Sequence, residues 1–250
     1  MSFDKRAVAI SFAITALVLS SIGIAQASYA KDSKDSKESH ATPTPRPSSQ
    51  RALSALSAQR ELSSLSGDCV KTTAVAHNPR KVGYPDPKMA MLDRVFTLNT
   101  NCGQIVFKAF GKKAISTVIA MTFLAKSGYF DHSLCHRLTT ASIFVLQCGD
   151  PTASGSGGPS FSYSDENLPD DGEDDYPAGT IAVANSGPNT NGSQFFIFYK
   201  DSYLLPSYTV WGTVIQGLDI VKRIAALGVI GGGSDGKPKQ TIAIESVNVK

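Results

Sequence analysis

From Met91 onward, apolar and polar residues alternate in short runs, and at two places the period lengthens from two to about 3.6. Arg94–Leu98 and Gln104–Phe110 read as strands around the turn residues Asn99-Thr100-Asn101-Cys102-Gly103. Leu134–Leu138, Ile143–Gln147, Thr180–Ala184, Phe195–Tyr199 and Thr209–Ile215 read as further strands, and Ile242–Val249 closes the chain. In that last run the apolar parity slips between Ile242/Ile244 and Val247/Val249, which predicts a bulge near Glu245. Ala114–Ser127 carries Ile115, Val118, Ile119, Met121, Phe123 and Leu124 on a helical spacing and stops at Gly128. Leu218–Leu227, between Gly217 and Gly228, is a second helix. About eight short strands and two separated helices predict a mostly β fold. The expected form is a closed eight-stranded antiparallel barrel capped by the helices, which leaves no unpaired edge.

The first ninety residues follow other rules. Asp4, Lys5 and Arg6 precede an uncharged run from Ala7 to Ala25, and the small residues Ala25, Gln26, Ala27, Ser28, Tyr29 and Ala30 follow. This is the anatomy of a secretory signal cut after Ala27 or Ala30. The rival is an uncleaved membrane tether through residues 7–25, a stretch just long enough to span a bilayer. Either reading makes 1–30 an address and places the remainder outside the cytoplasm, secreted or anchored to the membrane. Residues 31–66 read as a low-complexity linker. Lys31–Ser39 lacks any apolar residue, Thr42–Pro47 favours extended polyproline conformations, and the leucines of Gln50–Ser66 permit only a short amphipathic helix. Residues 67–90 form a lead-in with no legible pattern, and 91–250 is the globular domain.

Charge matters through its location. The formal net charge is +3, but residues 1–30 contribute +1, residues 31–66 contribute +2, and 67–250 holds sixteen groups of each sign. The globular part has no global basic field, which argues against nucleic acid as a partner. With 42% hydrophobic and 18% charged residues, wholesale disorder is excluded. Cys69, Cys102, Cys135 and Cys148 lack zinc-type spacing, and outside the cytoplasm an even count favours disulfides, with three pairings open. If Leu134–Leu138 and Ile143–Gln147 pair as neighbouring antiparallel strands, Cys135 and Cys148 come within bonding reach, leaving Cys69 with Cys102.

Three segments hold residues unusual for a β core: Tyr129–Asp150, Ala184–Ile197 and Leu204–Gly212. Arg137 sits inside a strand pattern, where a guanidinium facing the core needs a partner or a ligand. Phe144, Val145, Phe196 and Leu204 offer apolar surface, and Gln147, Gln194 and Asn185 offer amides. Together they would form a groove for an extended peptide with one apolar side chain. The plainer reading makes the aromatics core and Arg137 surface.

At these residues the chain resembles the cyclophilins. The His136-Arg137 dipeptide, the Gln147-x-Gly149-Asp150 element and the fourteen-residue run Asn185–Phe198 occur in the family's order, and the resemblance covers roughly Met91 to Lys250. The wording Cys135–Thr140, the spacing from Arg137 to Asp150 and the signal-like start are similar to exported actinobacterial members. The resemblance implies a peptidyl-prolyl cis–trans isomerase that acts on Pro-containing polypeptides and assists folding outside the cytoplasm, with no metal or cofactor. It implies Arg137 as the catalytic residue. Phe144, Val145 and Phe196 become the floor of a proline pocket with Leu204 at its rim. Gln147 is implied to bind substrate backbone and steady Arg137, Asn185 to hold the peptide through its main chain, and Ala184 and Gln194 to line the neighbouring groove. Two positions depart from many eukaryotic members: Tyr208 stands for a histidine, and Tyr203 for a tryptophan. Both changes imply weakened affinity for cyclosporin.

Other features carry less. No proton transfer is required, so His136 is read as structural. Asp165, Glu166, Asp170, Asp171, Glu173, Asp174 and Asp175 read as a solvated loop without EF-hand spacing. The rival functions are a cyclophilin-shaped binding module or chaperone without useful turnover, for which Arg137 is superfluous, and an exported protease or hydrolase.

Overall fold

The computed structural model describes residues 68–86, 92–170 and 176–250. The address segment, the linker and positions 171–175 of the acidic loop lie outside these described residues. Strand β1 (Arg94–Thr100) and β2 (Gly103–Ala109) form a hairpin in unbroken register from Arg94↔Ala109 to Thr100↔Gly103. The turn is shorter than expected. Backbone pairing runs on to Gly103, whose φ of +115° suits a residue without a side chain. Helix α1 (Ile115–Lys126) follows, then β3 (Ser133–Leu134), β4 (Arg137–Thr139), β5 (Val145–Cys148), β6 (Thr180–Val183), β7 (Phe195–Phe198) and β8 (Val210–Gln216). Helix α2 (Leu218–Leu227), β9 (Asp235–Gly236) and β10 (Ala243–Val249) complete the chain.

These strands form one curled antiparallel sheet in the order β3-β10-β1-β2-β8-β6-β7-β5-β4-β9, with α1 packed on β10 and α2 on β2. Ten strands replace the eight expected, for two physical reasons. The run Ser133–Thr139 changes partners midway, so it divides into β3, paired with β10, and β4, paired with β5. The handover is abrupt: the Cys135 N–H donates to the Ile242 carbonyl at 3.0 Å, and the next N–H, of His136, donates to the Gln147 carbonyl at 3.0 Å. The tenth strand, β9, is a two-residue ribbon on β4 that carries no apolar alternation to announce it. The bulge forms where the parity slip predicts it: Asn99 faces Ser246 and Thr100 faces Ile244, leaving Glu245 unpaired.

Inside the curl, Phe96, Leu98, Ile105, Phe107, Leu146, Ile181, Val183, Phe195, Ile197 and Trp211 form the main core with the buried faces of both helices. Helix α1 is buried nearly all round, and its N-terminus is capped from a distance. The backbone N–H groups of Ser116 and Thr117 donate to the two carboxylate oxygens of Glu166 at 2.9 and 3.0 Å. A carboxylate at that end complements the helix dipole, so Glu166 has a structural task that the acidic-loop reading missed.

Both disulfides are formed, Cys135–Cys148 and Cys69–Cys102, each with Cα atoms 4.0 Å apart. The second fastens the lead-in, whose described residues 68–86 form neither helix nor strand. Val70 exchanges hydrogen bonds with Asn101, Thr72 donates to Glu245 at 2.6 Å, and the His77 N–H donates to the Pro151 carbonyl at 2.9 Å.

Candidate active site

A strand turns successive side chains to opposite faces, and this pleat sorts the residues singled out in the sequence. In β5, Leu146 and Cys148 point into the main core, while Val145 and Gln147 point outward; in β7, Phe195 and Ile197 point in and Phe196 points out. The registers then align the outward residues. Arg137 lies opposite Gln147, Gln147 opposite Phe196, and Phe196 opposite Ala182. One row across β4, β5, β7 and β6 therefore passes from a cation through an amide to an apolar patch.

The apolar end is a second buried cluster of Val145, Tyr176, Ala182, Phe196 and Phe198, with Ala184, Leu204, Tyr208 and Val210 packed against it. The Tyr208 ring stands edge-on to Phe196 at 5.4 Å, and the Tyr208 N–H donates to the Tyr176 hydroxyl at 3.1 Å. Phe144 is not brought to this cluster. It packs against the main core beside Tyr199, with the Lys200 ammonium 4.4 Å above its ring. Tyr203 stands 57% exposed beside Leu204, outside the cluster.

The polar end is fully connected. Arg137 Nη1 donates to Gln147 Oε1 at 3.2 Å, Gln147 Nε2 donates to Gln194 Oε1 at 2.8 Å, and Gln194 Nε2 donates to the Gly155 and Gly157 carbonyls. On its other side Arg137 meets Asp235, with Nε donating to Oδ1 at 2.8 Å and Nη2 to Oδ2 at 2.7 Å. The guanidinium hydrogen bond holds the Asp235 carboxyl below the usual carboxylate range, and the carboxylate in turn raises the arginine. Asp235 lies 98 residues from Arg137 in a glycine-rich turn, so nothing local in the sequence marks it. Beside Gln194 and Gln147 a cavity of about 390 Å³ is walled by Ala184, Asn185 and the segment from Gly155 to Phe161. Asn185 Nδ2 donates to the Ser207 carbonyl at 2.8 Å, joining the two loops that frame the apolar patch.

His136 is half-buried, and neither ring nitrogen meets a hydrogen-bond partner. Burial holds the imidazole below its ordinary value, against the pull of Asp150, which supports a structural role. Asp165 and Asn191 hold the long loop after Asn185, and no cluster of metal-ligating side chains occurs among the described residues.

Asp150 organises the cavity wall. Its fully buried carboxylate accepts hydrogen bonds from Thr152, Ser154, Gly155 and Gly157, backbone and hydroxyl donors together. Gly149 before it has a φ of +91° and sits where a Cβ would overlap the Ser193 carbonyl. Burial raises the Asp150 carboxyl, but the donors outweigh it and the net shift is downward. A depressed native value means that the stabilisation is complete above the unfolded value and is lost as pH falls through the native one. Asp150→Asn should therefore lower the melting temperature at pH 7, and the gap from wild type should close below about pH 4. A gap of constant size down to pH 2 would refute this account.

An arginine fixed beside an apolar patch on the outer face of a curled sheet is an arrangement suited to an extended peptide. The comparisons give that arrangement its family. The model described as cyclophilin type peptidyl-prolyl cis-trans isomerase/CLD matches residues 95–249, and the chain belongs to this family. A probable peptidyl-prolyl cis-trans isomerase B of Mycobacterium tuberculosis is 42% identical over 181 residues, covering 68% of this chain and 58% of that protein. Its counterpart in Mycobacterium leprae is 42% identical over 164 residues, covering 61% and 56%. The chain thus spans somewhat over half the length of these relatives. The crystal structure of a cyclophilin type peptidyl-prolyl cis-trans isomerase from Cryptosporidium parvum matches with a TM-score of 0.55 and 26% identity, over 64% of this chain and 98% of that one. A second structure of that protein, in the presence of the dipeptide Ala-Pro, matches with a TM-score of 0.54.

Proposed function

We propose that this protein is a peptidyl-prolyl cis–trans isomerase that rotates X–Pro bonds in polypeptides. The observation that carries the reading is the row Arg137–Gln147–Phe196. Rotation about a peptide bond faces a barrier of roughly 18–20 kcal/mol from its partial double-bond character. As the bond twists, conjugation is lost and a lone pair localises on the prolyl nitrogen. A guanidinium aimed at that nitrogen stabilises the twisted state more than either planar state, which lowers the barrier. The patch around Phe196 anchors the ring, and Gln147 and Gln194 supply amides to the backbone. Arginine stays protonated throughout, so the donor is constant. The test is exchange spectroscopy on a short Pro peptide with the full chain: faster cis–trans exchange is expected. Peptide binding without faster exchange would instead identify a binding module.

The curl, with its chain handover at Cys135-His136, supports a closed barrel in which β3 and β4 are one strand. The two disulfides support a working place outside the reducing cytoplasm, where folding of exported proteins would be assisted. No helix among the described residues is long and apolar enough to cross a membrane; the signal or anchor reading rests on residues 7–25 alone. Cyclosporin is a ligand of reduced affinity in this proposal, because a phenol at Tyr203 is narrower than an indole and places its polar atom elsewhere. Tyr203→Trp should tighten cyclosporin by about one to two decades, the worth of one hydrogen bond and some apolar contact. Unchanged affinity in a paired titration would remove Tyr203 from the inhibitor rim.

A further inference from the structure

We propose that Asp235 is a positioning residue of this site: it clamps one edge of the Arg137 guanidinium so that the other edge faces the groove. The inference rests on the isomerase reading and assigns a task to a residue outside the motif-bearing segments.

The geometry is that of a fork. Two parallel hydrogen bonds join Nε and Nη2 of Arg137 to the two oxygens of one carboxylate, at 2.8 and 2.7 Å. Paired this way, arginine gains directional restraint as well as attraction. Of its five N–H bonds, two go to Asp235 and one, on Nη1, to Gln147. One N–H on each Nη is left for a substrate. Gln147 alone holds the guanidinium by a single contact of 3.2 Å, which leaves rotation about the Cδ–Nε bond free. With Asp235 in place the group is held from both sides.

Asp235 is itself well placed to act as a clamp. It lies on β9, opposite Thr139 of β4, and the Thr140 N–H donates to the Ser234 carbonyl at 2.8 Å. Its backbone is thus tied to the same strand that carries Arg137. The opposite end of the network is equally fixed, because Gln194 is bonded to two backbone carbonyls of the Asp150-organised loop. The guanidinium hangs between two backbone anchors, one on β9 and one on the loop after Asp150.

Stability does not account for the pair. The side chains are 35% and 53% exposed, and ion pairs of such exposure contribute little to folding. What the pair fixes is the orientation of Arg137.

Turnover and binding would respond differently to loss of the clamp. Asp235→Ala should lower kcat about tenfold, as expected when a partly exposed charge-assisted contact is removed, with KM and melting temperature unchanged. Asp235→Glu, which keeps the fork, should recover most of the loss. In an Arg137→Ala background Asp235→Ala should have no further effect on kcat. A separate readout is the Arg137 Nε–H signal in nitrogen-15 spectra, which should be slow to exchange with solvent in the wild type and fast in Asp235→Ala. Full kcat in Asp235→Ala, or a tenfold loss that persists without Arg137, overturns the inference and leaves the isomerase reading standing. A wild-type chain that fails to speed exchange of a Pro peptide overturns both.

Discussion

Arg137→Ala should lower kcat/KM for a Pro peptide by about 10²–10³, the usual loss when one donor to developing charge is removed. Affinity for the ground-state peptide should fall far less, because the apolar cluster of Val145, Phe196, Leu204 and Tyr208 is untouched. The fold should survive as well: the Arg137 side chain is partly exposed, and its partners Asp235 and Gln147 stay hydrated or bonded elsewhere. Separating kcat from KM is essential. A uniform loss of binding would raise KM, whereas loss of a contact made only in the twisted state lowers kcat. Near-normal turnover in this variant would leave a family fold without the proposed mechanism.

Trp211→Ala should act on stability by a comparable amount. The indole is 1% exposed and stands edge-on to Phe96 at 5.3 Å, Phe107 at 5.0 Å and Phe195 at 6.3 Å. Removing it opens a cavity among rings drawn from three other strands, a change that costs about 3–5 kcal/mol. For a domain of this size that corresponds to a fall in melting temperature of about 10–15 °C. Trp211→Phe should cost much less. The indole Nε1 is buried without a hydrogen-bond partner, so the wild type already bears an unsatisfied donor that phenylalanine lacks. A calorimetric comparison decides the matter: an Ala variant melting within about 3 °C of wild type would mean that the core relaxes around the gap.

Much of this arrangement is legible in the chain because it is local. Period-two alternation finds β1, β2, β7 and β8 to within a residue or two, and the parity slip marks the Glu245 bulge. The need of Arg137 for a partner is legible as well. The identity of that partner is not, since Asp235 arrives from a distant turn and through a strand too short to have a pattern. The placing of Phe144 beside Tyr199 is not legible either. The residue precedes β5, and the alternation within that strand does not say to which side its ring turns. Glu166 shows a third kind of limit. Among so many carboxylates, the one that caps α1 is selected only by where the folded loop passes.

One adjacency in the sheet sets the order of events during synthesis. The first strand, β1, lies between β2 and β10, and β10 is made of residues far downstream of it. Until they emerge, one edge of β1 and the edge of β3 have no partner, and the sheet cannot be completed by any earlier part of the chain. Pairings this distant in sequence carry a large loop-closure entropy and form slowly. Closure of the sheet therefore waits for β10, and a ribosome stalled before β10 has emerged releases a product with two open strand edges, the surface on which chains associate with one another.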